Sequence, residues 1–158
     1  MNEPKVVGIG QIVVSRAPEQ ICCLGLGSCV AVFLYDPEAK IGGVLHILLP
    51  KAPPHCQAQD KYADTGIIKL LQLVLARGAR KERLVAKLVG GAQMFQNLNI
   101  SICDIGADNC HQAKKILRDM GIRTIAEDIE GKRGRSATFH LDSGKVAITT
   151  AFSGEHTI

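Results

Sequence analysis

The chain has 158 residues, 46% of them hydrophobic, which suits one compact domain around a single core. Its net charge of +4 comes from bases scattered among acids, with short clusters at Lys132, Arg133, Arg135 and at Arg77, Arg80, Lys81, Arg83 that read as solvated faces. Aromatics are only 4% and Trp is absent, so the stacking platform of a nucleic-acid binder is missing. No apolar stretch approaches the roughly 18 residues of a membrane span. Met1-Asn2-Glu3-Pro4-Lys5 has neither the charged nor the apolar region of a secretory leader, and a cytoplasmic protein is expected.

In chain order, Lys5 to Ser15 is rich in Val and Ile and predicts a strand. Val30 to Tyr35 and Ile41 to Leu49 predict a hairpin about the turn Asp36-Pro37-Glu38-Ala39-Lys40. Pro53-Pro54 makes Lys51 to Gln59 a loop. Apolar residues at Ala63, Ile67, Leu70, Leu71 and Val74 predict a helix from Tyr62 to Arg77, stopped by Gly78. A second helix is expected from Asn109, as its N-cap, to Met120, with Ala113, Ile116, Leu117 and Met120 on one stripe. Further strands are expected at Leu84 to Val89, Ile122 to Ala126, Ser136 to Leu141 and Lys145 to Thr150, the last two joined by Asp142-Ser143-Gly144. Neither a repeat nor a composition shift marks a second domain, so residues 1–158 read as one. Many strands and few helices predict a layered α/β sandwich rather than a doubly wound nucleotide-binding fold.

The six cysteines, Cys22, Cys23, Cys29, Cys56, Cys103 and Cys110, read as free thiols, since nothing suggests secretion. There is no C-x-x-C pair, and His55-Cys56 and Cys110-His111 cannot close a four-ligand zinc site by themselves, so no structural metal is expected. Gly8-Ile9-Gly10 lacks the third glycine of a dinucleotide fingerprint. Gly90-Gly91-Ala92 reads equally as a plain turn or a loop lining a cleft, and Gly131-Lys132-Arg133-Gly134-Arg135-Ser136 as a flexible basic loop, a solvated run more often than a site for an acidic partner.

Chemistry concentrates at Leu24-Gly25-Leu26-Gly27-Ser28-Cys29-Val30, where a Gly-rich turn delivers a cysteine at the start of an apolar strand. Glycines there permit close approach of a substrate to backbone N–H groups, as an oxyanion hole requires. The plain alternative is a buried, inert cysteine. His46 shifts the balance, because it interrupts Val44-Leu45-His46-Ile47-Leu48-Leu49, where an imidazole has little reason to sit without a polar partner. The midpoint of residues 29 and 46 falls between Pro37 and Glu38, so a hairpin centred there opposes Cys29 and His46. An imidazole beside a thiol lowers its pKa and accepts its proton.

These residues give the chain its resemblance to CheD, the chemoreceptor glutamine deamidase family. The resemblance rests on Leu24 to Val30, His46 with Leu49-Pro50, Lys61-Tyr62-Ala63-Asp64, Gly90-Gly91-Ala92 with Met94-Phe95, and Ala126-Glu127-Asp128 with Gly134-Arg135-Ser136. It implies a sandwich of two mixed β-sheets with helices outside, related to the bacterial toxins that deamidate Rho GTPases. It implies Cys29 as nucleophile, His46 as general base, turn amides near Gly27 and Ser28 as oxyanion donors, and no metal or organic cofactor. The family pattern has Thr six residues before the nucleophile as the third catalytic residue; this chain has Cys23 there, whose main-chain oxygen can orient the ring as a hydroxyl would. Methyl-accepting chemotaxis receptors are the implied substrates, and the phosphatase CheC a regulatory partner. Two rival readings are a non-enzymatic module that binds receptors or CheC, and a thiol protein using Cys22, Cys23 and Cys29 for redox or metal chemistry.

Overall fold

The computed structural model describes residues 3–94, 104–150 and 154–158. Its strands are β1 (Lys5–Val6), β2 (Ile12–Arg16), β3 (Gln20–Leu26), β4 (Val30–Asp36), β5 (Ile41–Ile47), β6 (Val85–Gly90), β7 (Arg123–Ile129), β8 (Arg135–His140), β9 (Val146–Thr150) and β10 (Gly154–Thr157). Its α-helices are α1 (Ala63–Ala76) and α2 (Ile105–Asp119).

The strands form two sheets, ordered β1-β3-β8-β9-β10 and β2-β5-β4-β6-β7. Both are mixed: β1 runs parallel to β3 in the first and β6 parallel to β7 in the second, while the other pairs are antiparallel. Alternation along β4 explains the layering. Ala31, Phe33 and Tyr35 face the first sheet and meet Ile21, Phe139 and Ile148 there; Val30, Val32 and Leu34 face the helices and meet Ile67, Leu70 and Leu117. Every residue of β4 is therefore buried. Phe33 and Phe139 lock the two sheets edge to face, with ring centroids 5.4 Å apart. The expected sandwich is observed, with α1 and α2 both packed on the second sheet.

Several sequence expectations need correction. The apolar run from Lys5 to Ser15 is two strands in different sheets, because the chain turns at Gly8 to Gln11, where Gly10 has φ of 72°. The Gly-rich stretch before Gly27 is not a turn throughout: β3 runs to Leu26, accommodating Gly25 (φ 64°) in an irregularity of its pairing with β8. β3 and β10 were not expected from the sequence at all. Finally, α2 starts at Ile105; its N-cap is Asp104, whose carboxylate accepts from Ala107 N at 3.0 Å, and Asn109 lies inside the helix, fully buried. Gly106 disguised that first turn.

Candidate active site

Gly27, Ser28 and Cys29 connect β3 to β4 at one end of the sandwich. All three carbonyls are engaged: Gly27 O accepts from Ala92 N at 2.9 Å, Ser28 O from Asn109 Nδ2 at 3.0 Å, and Cys29 O from Gly91 N at 2.8 Å. Among the described residues, no acceptor meets the N–H of Ser28 or of Cys29. A turn whose acceptors are used and whose donors are unspent has the polarity that a developing oxyanion needs. The Gly90-Gly91-Ala92 segment is thus the support of this turn. It is itself backed by α2, since a Cβ on Gly91 would lie 2.9 Å from Gly106 O and one on Gly106 would lie 2.4 Å from Gly91 O.

Cys29 is 7% exposed and sits in the core between the sheets with Cys23, Val7 and Ala31. Burial pushes its thiol pKa up, and the thiol is protonated at neutral pH. Cys22, Cys23, Cys56 and Cys110 are likewise free thiols, while Cys103, like Phe95, lies outside the described residues.

His46, on β5, is 2% exposed. Its Nδ1 lies 3.4 Å from Val7 O; a carbonyl can only accept, so in the neutral ring Nδ1 carries the hydrogen and Nε2 the lone pair. Nε2 is buried and has no hydrogen-bond partner among the described residues. Burial lowers the imidazole pKa, and the Val7 bond opposes this in part. The segment holding the ring is itself fixed: Val7 N donates to Cys22 O at 2.9 Å, Gly10 N to His46 O at 2.9 Å, and His46 N to Gln11 O at 3.2 Å.

The register differs from the sequence arithmetic. Asp36 pairs with Ile41, which leaves Pro37-Glu38-Ala39-Lys40 as the loop, with Lys40 left-handed at φ of 53°. The hairpin centre therefore lies between Glu38 and Ala39, and the residue opposite His46 is Ala31. The displacement preserves parity, so Cys29 stays on the face that carries Ala31 and His46, one pleat along. Such diagonal neighbours stand roughly 7–8 Å apart at the backbone, within reach of longer side chains. The Cys29 thiol does not hydrogen-bond the ring; contacts of this kind commonly tighten only with substrate bound.

Cys23, expected to orient the imidazole, pairs with Ala137 in β3 and is fully buried. Burial, with Cys22 adjoining, pushes its thiol pKa far up. The ring instead donates to the carbonyl of Val7, whose N–H the neighbouring Cys22 carbonyl accepts.

Sequence reasoning missed Val7, Asn109 and Arg135. A backbone acceptor such as Val7 O leaves no mark in residue identity. Asn109 was hidden by its reading as a cap. Arg135, read as part of a solvated loop, is buried; its guanidinium donates to Asp128 O at 2.9 Å, to the Asp128 carboxylate and to the carbonyls of Glu130 and Arg133. Arg83, from the other basic cluster, pairs with buried Asp36 at 2.8 Å. Among the described residues, no group of three or more His, Cys, Asp or Glu side chains is placed to hold a metal ion. No described helix is long and apolar enough to cross a membrane.

Comparison with known proteins agrees with the resemblance. The family described as CheD chemotactic sensory transduction matches residues 48–150. A protein of Thermotoga maritima named chemoreceptor glutamine deamidase CheD is 42% identical over 151 residues, covering 96% of this chain and 94% of the relative. Probable chemoreceptor glutamine deamidases CheD of Pyrococcus abyssi and Pyrococcus horikoshii are each 46% identical, over 94% and 98% of this chain and 93% and 96% of the relatives. With likeness of this extent over almost the whole length, the chain belongs to the CheD family.

Proposed function

We propose that this chain is a protein-glutamine deamidase that converts glutamine side chains of methyl-accepting chemotaxis receptors to glutamate, with Cys29 as nucleophile and His46 as general base. The names of its relatives support the reaction and the substrate. The observation that carries the residue assignment is the state of the His46 ring. Nδ1 is tied to a carbonyl, and Nε2 is left buried and, among the described residues, unpartnered on the sheet face it shares with Cys29.

Because burial favours the neutral thiol and the neutral imidazole, attack does not begin from a standing ion pair. As the Cys29 sulfur adds to the glutamine carboxamide carbon, its proton passes to Nε2. The Val7 carbonyl steadies the imidazolium through Nδ1. The new oxyanion takes hydrogen bonds from the turn amides about Gly27, Ser28 and Cys29. On collapse the C–N bond breaks, the nitrogen takes the proton from Nε2, and ammonia departs, leaving a thioester. Water, losing a proton to the same Nε2, then hydrolyses the thioester to glutamate and returns the thiol. The cycle closes without a metal or organic cofactor.

The same reading treats residues 1–158 as one deamidase domain working in the cytoplasm, with CheC as a regulatory partner and a fold related to the Rho-deamidating toxins. Cys23, at the family's Thr position, serves here as core support beneath the segment that holds His46. The test is mass spectrometry of receptor cytoplasmic domains after incubation with the wild-type protein and with Cys29→Ala. Conversion of specific glutamines by the wild type alone is the expected result. Equal conversion by Cys29→Ala refutes the assignment, and receptor binding without conversion by the wild type moves the chain to a non-enzymatic role.

A further inference from the structure

We propose that Asn109 is a positioning residue for the Cys29–His46 pair, an inference that rests on the deamidase reading above. It is fully buried on α2, yet its side-chain amide belongs to the site rather than to the helix. Nδ2 donates one hydrogen to Ser28 O at 3.0 Å and the other to Leu48 O at 3.1 Å. Two carbonyl partners also fix which end of the amide is nitrogen.

The two acceptors lie where the β4–β5 ladder stops. Its last pair is Val30 with Ile47; Leu48 N has turned away to Lys61 O at 2.9 Å, and Cys29 O is taken by Gly91 N. No ladder bond therefore holds Cys29 against β5. Asn109 supplies the missing cross-link, joining the residue before Cys29 to the residue that follows β5, the strand that carries His46. Its helix is well braced for this: Gly106, one turn earlier on the same face, packs backbone to backbone against Gly91 and Ala92, the segment that also holds Gly27 O and Cys29 O. Rigid support of this kind sets how far the sulfur stands from Nε2, and displacements of about 1 Å in such a pair cost on the order of 100-fold in rate.

The test uses Asn109→Ala, which removes both donors, and Asn109→Ser, whose hydroxyl can serve one carbonyl. Two readouts are followed: kcat and KM for receptor deamidation, and the pH profile of Cys29 alkylation by iodoacetamide, mapped by mass spectrometry. Asn109→Ala is expected to lower kcat about 10- to 100-fold with KM little changed, and Asn109→Ser to fall between it and wild type. The His46-dependent part of Cys29 alkylation, defined with His46→Ala, is expected to vanish in Asn109→Ala. Because alkylation needs no turnover, it tests the positioning even if no receptor is deamidated, a failure that would count against the deamidase reading alone. Wild-type kcat and an unchanged alkylation profile in a folded Asn109→Ala overturn the proposal. So does failure of both variants to fold, which makes Asn109 a stability residue only.

Discussion

Ala31, not Cys29, stands directly opposite His46 in the β4–β5 ladder. Ala31 is fully buried, and its methyl group occupies the space beside the imidazole on the face that Cys29 shares. Filling that space should crowd the ring away from the sulfur. Ala31→Val is expected to cost about 1–3 kcal/mol of stability through overpacking and to lower kcat at least about tenfold. Denaturant unfolding and deamidation kinetics check the two effects separately; full activity in a destabilised variant would show that the space beside His46 is not limiting.

Cys23→Ala separates side-chain from main-chain orientation of the base. Nδ1 donates to Val7 O, and Cys23 contributes core packing. Loss of its sulfur should cost about 1 kcal/mol of stability as a small buried deletion, with kcat close to wild type. A large fall in kcat with stability intact would return the orienting role to the thiol.

The pH profile follows from His46. Its folded pKa lies below the ordinary 6.5, chiefly through burial, and the proposed mechanism uses the neutral ring as the base. Activity should persist as pH falls past 6.5 and be lost only through the lowered value. The unfolded chain takes up this proton at the higher pH, so between the two values it binds more protons than the folded chain. Folding stability should accordingly decline as pH drops through the same window. His46→Ala should flatten that part of the stability curve. An acid limb centred above 6.5 would contradict the buried, neutral base.

Asp36 governs the turn that sets the register. Burial alone would raise its pKa, but Arg83 and the N–H groups of Ala39, Arg80 and Glu38 hold it down to about 2. Its contribution is present above the unfolded value of 3.8 and is lost as pH falls through about 2. Asp36→Asn should cost about 2 kcal/mol near neutral pH, and the gap from wild type should close in that acid window. Thermal unfolding of both proteins between neutral and strongly acid pH measures it; a gap independent of pH would remove the charge from the explanation.

The elements most legible in the sequence were those whose pattern is local. The stripe Ala63, Ile67, Leu70, Val74 gave α1 almost to the residue, and the apolar runs gave β4 and β5. Cys29 and His46 stood out as a thiol after a glycine turn and an imidazole in an apolar strand. What escaped depends on partners distant in sequence. β3 is a strand because β1 and β8 flank it, despite Gly25. The exact facing of His46 depended on how Asp36 folds the loop, which shifted the pairing without changing its face. Asn109 looked like a cap because Asn often is one; the Asp104 cap and the packing of Gly106 against Gly91 show that the helix had already begun.

Because β4 is buried on both faces, the strand leading out of Cys29 answers to two cores at once. A side chain altered on the helix side displaces backbone that also sets the sheet side, and close-packed interiors absorb little of such movement. Adaptive change in this protein is therefore confined by mechanics. The ladder is frozen, and new substrate preferences must be written in the connections at its ends, where Met94 lies exposed beside Gly27 and can be exchanged without moving either core.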